Sequence, residues 1–312
     1  MANLTGSNST NITGMFSNIS TEGETENVPL QVNNIITIII NVITCPFTVL
    51  LNVLVIMAVK RRPRLQTNAN ILLARLAVTD AMTGLTTQPL FIVWKTFQLI
   101  DLKNFINPFF GVNFTMRALA VCSCLHLMLV TCERLIAIKF TMDYHEIVTK
   151  KKFKVAVISC WVYSVTSELI LRRFDITIMI ADLLVALVQI CCMILFIASA
   201  YFVLYLETRR HRKMIKTQQL PQEEVERFIK ESKALKTTVY VIGAVALCYL
   251  PMAFVMFSYA MKWQVDPFLK PFVRTFAMLN SFLNPLIYCW RQKEMRKFVF
   301  RIRTTQPVHP AN

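Results

Sequence analysis

The sequence predicts an all-α membrane protein, a bundle of seven transmembrane helices with a short amphipathic helix after the seventh. Three observations carry that expectation. Of the 312 residues 55% are hydrophobic and only 6 are glycine, which leaves apolar surface for several spans but none for a large soluble domain. Seven apolar windows, near 35–59, 69–94, 109–139, 153–171, 176–206, 235–261 and 271–290, suit a hydrocarbon core that needs roughly 20 helical residues per crossing. Lys and Arg fall on alternate loops, with 24 of 34 in 60–68, 139–154, 207–236 and 291–303, all on one side of a seven-span chain. The positive-inside rule makes that side cytoplasmic and the N-terminus extracellular. The net charge of +16 is therefore an orientation signal, and no nucleic-acid partner is expected. The chain divides into an extracellular glycosylated N-terminal tail (1–34), a seven-helix transmembrane domain (35–290), an amphipathic membrane-surface helix (291–303) and a short cytoplasmic tail (304–312).

Residues 1–34 hold no Lys or Arg and carry four N-x-S/T sequons, at Asn3, Asn8, Asn11 and Asn18, which fits a flexible glycosylated tail. No basic region followed by a short apolar core is present, so the first span is expected to serve as the membrane signal. A fifth sequon, at Asn113, falls inside the third window and out of reach of glycosylation. All nine Cys also lie in apolar windows, so no extracellular disulfide is expected.

The first span carries Asn52 and stops at Lys60-Arg61-Arg62-Pro63-Arg64, a basic loop suited to inner-leaflet headgroups. The second carries Asp80, an intramembrane carboxylate that is costly without a function. It also carries Arg75, to which the sequence gives no role, and Pro89, expected to kink its outer third. The third ends in Glu133-Arg134. Counted back at about 100° per residue, Ser123 and Met116 fall near the Arg134 face. In the seventh, NSFLNPLIY (280–288) sets two amides and Pro285 in an apolar run. The carbonyl freed by the proline and the buried amides need partners from neighbouring helices or water. Asn52, Asp80, Ser123, Asn280, Asn284 and Tyr288 thus read as one buried polar network joining four helices.

Pro221 and Glu223-Glu224 mark a helix start, and Val225, Phe228, Ser232 and Leu235 keep helical spacing, so the sixth span is expected to begin near residue 222. After the seventh, Met295, Phe298, Val299 and Ile302 recur at i, i+3, i+4 and i+7 among Arg and Lys, the pattern of a helix lying on the inner leaflet.

Asn52, LAVTD ending at Asp80, Glu133-Arg134, Trp161, Tyr201, CYLP at 248–251 and NPLIY at 284–288 stand in the order and spacing of the rhodopsin-like (class A) G-protein-coupled receptors. The chain resembles that family over residues 35–303. Within it the sequence is most similar to the group of melanocortin, adenosine, cannabinoid and lysophospholipid receptors. The inner loop FTMDYHEIVTKKK, a fifth span without proline and the missing outer disulfide resemble melanocortin receptors in particular.

The resemblance implies a multi-pass plasma-membrane receptor that binds an extracellular ligand and activates heterotrimeric G proteins as span 6 swings outward. Glu133 would hold Arg134, and Glu231, 20 residues before Pro251, would form a second pair across the helices. Such a pair disfavours the open state in the family, where Arg134, Tyr201 and Tyr288 would regroup on activation. Tyr249 replaces the family's usual tryptophan before the Pro251 kink. Asp80, Ser123, Asn280 and Asn284, with Asn52 in the same network, match the family's sodium pocket, and oxygen ligands suit a hard cation. The alternative is a water-filled cluster around a protonated Asp80. The tail offers only Thr304 and Thr305 to phosphorylation and no palmitoyl Cys, so weak arrestin recruitment is expected.

The ligand pocket is expected at Asn113, Met116, Arg117, Glu168, Tyr249, Arg274 and Met278. Met116 stands where amine receptors carry aspartate, and Met278 where opsins carry the retinal lysine. Phe109 and Asn113 replace acidic residues of melanocortin receptors. The cavity is instead cationic, with Arg117 and Arg274 inside and Lys95, Arg172, Arg173 and Lys262 at the rim. Guanidinium groups suit a carboxylate or phosphate, which points to an anionic or lipid-like small molecule gripped by Arg274. The competing reading has Glu168 neutralising Arg117 and leaving an apolar pocket. A peptide or nucleoside ligand is the alternative within the family. Outside it, an enzyme is excluded: the four His are scattered and no HExxH or GxSxG occurs. A transporter, the runner-up, would show internal repeats or broken helix pairs, and neither is present.

Overall fold

The computed structural model describes residues 9–100, 109–140, 143–173, 222–261, 263–264 and 269–300, with separate helical positions between 192 and 213. Every regular element among them is helical. In chain order these are α1 (Ser9–Arg61), a 3-10 turn (Pro63–Leu65), α2 (Asn68–Met82), a π-helical turn (Thr83–Thr87) and α3 (Gln88–Leu99). There follow α4 (Phe109–Lys139), α5 (Tyr144–Ile147), α6 (Lys150–Arg173), α7 (Gln222–Ala260), α8 (Leu269–Arg291) and α9 (Lys293–Val299).

α1 is apolar outside and polar inside. Ile35, Ile39, Val42, Ile43 and Leu50 are exposed, while Asn33, Thr37, Asn41, Thr48 and Asn52 are fully buried. That inversion fits lipid, where apolar side chains meet the solvent and polar groups must find partners within the bundle. α6 repeats it, with Val155, Ile158 and Val162 exposed over buried Ser164 and Glu168. α4 packs against α2, α3, α6 and α7, and α1 against α2, α3, α8 and α9. An apolar cluster fills one end of the bundle, where Leu76, Leu127, Val130, Val245, Tyr288 and Met295 pack together. A smaller one of Phe91, Trp94, Val112 and Met278 lies towards the other.

Three departures from the sequence expectation stand out. Helix α1 begins at Ser9 rather than near residue 35, with Asn11 and Asn18 in it, while Asn3 and Asn8 lie outside the described residues. Extending a helix costs far less than nucleating one, and the tail is appended to a long apolar helix. Its membrane-length apolar part is Leu30–Arg61. Second, only three helical stretches among the described residues are long and apolar enough to cross a membrane by composition alone, Leu30–Arg61, Gly111–Lys139 and Lys150–Ile170, with Val239–Val255 shorter. The window at 69–94 is divided at the π-turn into helices of 15 and 12 residues, and that at 271–290 carries a polar face that lowers its apolar content. Third, the distortion expected at Pro89 takes the form of the π-turn just before α3. Proline has no N–H for the preceding turn, and a wider turn absorbs the loss.

α7 begins at Gln222 and contains Pro251. α8 contains Pro285. α9 turns its apolar residues inward, with Met295 and Val299 buried and Phe298 packed on the same cluster.

Candidate functional site

The middle of the bundle is polar. Asp80 on α2 is buried and accepts a 2.8 Å hydrogen bond from Asn284 Nδ2 on α8. Asn52 on α1 does not reach Asp80: its Nδ2 donates to the Ser281 carbonyl on α8 at 2.9 Å and to the Thr48 carbonyl at 2.8 Å. Ser123, Asn280 and Tyr288 are buried as expected. Tyr249 and Tyr288 both lie within electrostatic reach of the Asp80 carboxylate. Hydrogen bonds therefore tie α1 and α2 to α8, while Ser123 on α4 makes none to the other members.

Several oxygens here lack a hydrogen-bond partner although they are shut off from solvent: Ser123 Oγ, Asn280 Oδ1, Asn284 Oδ1 and Asn52 Oδ1. A buried polar atom is normally paired, so each marks a place for water or an ion. A carboxylate with neutral oxygens is a donor set that fits a hard cation. No three His, Cys, Asp or Glu side chains converge among the described residues, which leaves a transition metal no ligand set there.

A second site lies at the end of α4. Arg134 Nε meets Glu133 Oε2 at 2.8 Å, and both side chains are buried. The Tyr144 hydroxyl on α5 donates to Glu133 Oε1 and accepts from Asn68 Nδ2 at 2.9 Å. Burial, then the Glu133 carboxylate, push the Tyr144 phenol up to about 12, so it remains a donor throughout the neutral range. Tyr201 and the Glu231 side chain lie outside the described residues, and the pairing expected for Glu231 with them. Sequence reading missed Tyr144 as a partner of Glu133 and Asn68 as a partner of Tyr144; Asn68 and Tyr144 are 76 residues apart, and neither has a spacing that announces the other.

In the outer half, Arg117 on α4 pairs with Glu168 on α6 at 3.2 Å, the pairing the competing reading expects, although Lys95 and Arg274 keep the pocket from being apolar. Arg274 on α8 lies over the Trp94 ring at 5.0 Å, and Lys95 reaches the same ring at 4.5 Å. Two cations thus share one indole, a contact that stabilises each through the ring quadrupole. Met116 and Met278 are buried, and Asn113 is half-buried. The side chains of Phe109, Arg172, Arg173 and Lys262 lie outside the described residues. Trp94 is the pocket residue that sequence reading passed over; the signal was its place beside Lys95 in an apolar stretch.

Residues 51–288 match the family model described as 7 transmembrane receptor (rhodopsin family). That range holds every member of the polar core and the Glu133-Arg134 pair. Melanocortin receptor 5 of Homo sapiens is 22% identical over 261 residues, covering 79% of this chain and 77% of the receptor. Melanocortin receptor 5 of Mus musculus is 24% identical with the same coverage. Adenosine receptor A2a of Equus caballus is 24% identical over 311 residues, or 87% of this chain and 73% of the receptor.

Proposed function

Because the chain belongs to the rhodopsin family of seven-transmembrane receptors, we propose that it takes up an extracellular ligand among α3, α4 and α8 and activates a heterotrimeric G protein by outward movement of the α7 end that begins at Gln222. In this reading the seven windows are seven spans, the N-terminus is extracellular, and α9 rests on the inner leaflet. The transporter alternative falls with the family assignment; family members are receptors and not enzymes.

The observation that carries the proposal is the buried Glu133–Arg134 pair with Tyr144 on the same carboxylate. A buried guanidinium held by a neighbouring carboxylate is suited to act as a two-state element. It stays while its partner holds it and turns to a new acceptor when the helices part. The Tyr144 hydroxyl keeps Glu133 hydrogen-bonded after Arg134 leaves, which lowers the cost of an uncompensated buried charge. In cells at matched surface expression, Arg134→Ala removes the basal or ligand-driven second-messenger signal of the wild type. A full signal from that variant contradicts the proposal. Relatives named melanocortin receptor point to the stimulatory G protein and cyclic AMP as the first readout.

A sodium ion at Asp80 belongs to the same proposal, with Ser123, Asn280 and Asn284 offering oxygens. The purified receptor gains several degrees of thermal stability in sodium chloride over choline chloride, and Asp80→Asn gains none. Equal midpoints for the wild type in both salts favour the water-filled cluster.

For the ligand, Lys95 and Arg274 about Trp94 favour an anionic head group, such as a lysophospholipid or fatty acid. The relatives' names favour a melanocortin-type peptide or a nucleoside instead. Thermal stabilisation by each class separates these readings, and an anionic ligand must lose its effect in Arg274→Ala.

A further inference from the structure

An unbroken run of hydrogen bonds follows the inner face of α1. Asn41 Nδ2 donates to Thr275 Oγ1 on α8 at 3.0 Å, and Gln88 Nε2 on α3 donates to Asn41 Oδ1 at 3.3 Å and Thr44 Oγ1 at 3.0 Å. The Thr48 hydroxyl donates to the Thr44 carbonyl at 2.9 Å, and Asn52 Nδ2 joins the Thr48 and Ser281 carbonyls. From Thr37 to Asn52 this face spans about 22 Å at the helical rise. It brings polar groups from the outer half of the bundle to the helix that holds Asn284 and, through it, Asp80.

The run is more than packing glue, because it is incompletely satisfied. Gln88 Oε1, Thr87 Oγ1 and Asn52 Oδ1 are buried without a hydrogen-bond partner. All are oxygens, and none of residues 33–52 on α1 is charged. Buried unpaired oxygens of this kind suit water or a small cation. The other approach to Asp80 leads through the outer pocket, past Lys95 and Arg274, where a cation meets like charge.

We propose that the seam between α1, α3 and α8, marked by Asn41, Gln88 and Thr275, is the route by which water and a small monovalent cation reach Asp80. The proposal rests on the sodium reading of Asp80 above. It separates the two traffics of the receptor: neutral oxygens admit cations along α1, and the cationic pocket is kept for the ligand.

Sodium-23 exchange NMR on the receptor in nanodiscs, read beside thermal stabilisation by sodium chloride, tests it. Asn41→Leu, Gln88→Met and the nearly isosteric Thr275→Val keep the equilibrium stabilisation but slow exchange at least about tenfold, the effect of a modest added barrier. Lys95→Ala with Arg274→Ala removes the like charge from the other approach, and added to a seam variant it restores part of the lost exchange. Wild-type exchange in folded seam variants overturns the route. Thr275→Val carries the test should Asn41→Leu not fold. Stabilisation that persists in Asp80→Asn overturns the Asp80 reading, and a wild type indifferent to sodium overturns both.

Discussion

Glu133 serves Arg134 and Tyr144 at once, and the strength of each bond depends on its negative charge. Glu133→Gln keeps the shape and removes the charge, at a loss of about 1.5–3 kcal/mol for hydrogen bonds to a charged group. Arg134 is then released more readily, and basal signalling is expected to rise severalfold at equal surface expression. An unchanged or lower basal signal contradicts the lock. What the sequence disclosed at this scale follows from cost. Asp80, Asn284 and Glu133-Arg134 were legible because charges and amides in apolar runs need a reason. Ser281 was not, because it contributes its carbonyl to Asn52, and no side-chain pattern reports a backbone acceptor. Arg117 and Glu168 were both legible as charges in spans, yet only packing decides that α4 and α6 bring them to 3.2 Å.

Helices α2 and α3 meet at the π-turn, and there Gly84 lets α1 approach. A Cβ at that position would lie 2.8 Å from Val49 Cγ2 and 3.3 Å from the Cys45 carbonyl oxygen. The Cys45 thiol also donates to the Gly84 carbonyl. Gly84→Ala is therefore expected to cost about 1–3 kcal/mol by overpacking and to lower the thermal midpoint. Val49→Ala added to it restores part of the loss, because the two sites share one contact. A Gly84→Ala receptor as stable as the wild type shows that α1 can move aside freely. Helix positions were readable from apolar windows, and the α7 start from Pro221 and the paired glutamates. The polar face of α1 was less so: Asn41, Thr44 and Thr48 are small departures in an apolar run, and their meaning appears only when Gln88 and Thr275 pack against them. The helical tail from Ser9 was unreadable for a different reason, since propagation from α1 needs no local signal.

At the scale of the molecule, the described residues form apolar clusters on either side of a polar middle, with the Glu133–Arg134 pair near the end of α4 and Lys95 and Arg274 beside Trp94. That arrangement suits a machine whose ends communicate by shifting helices rather than by a rigid core, because buried polar contacts exchange partners where close-packed apolar ones do not. In the proposed mechanism α7 is the element that moves; it has Pro251 inside a 39-residue helix and Tyr249 half-buried against the inner cluster. The central claim is that this helix swings out to admit a G protein, and a distance measurement tests it most directly. Spin labels at Arg64 and Glu226, both exposed, report the separation of the basic turn before α2 from the start of α7 in nanodiscs. Adding nucleotide-free G protein is expected to lengthen that distance by at least about 5 Å, on the order of one helical turn, and Arg134→Ala to abolish the change. A distance unaltered by the bound G protein would contradict the account.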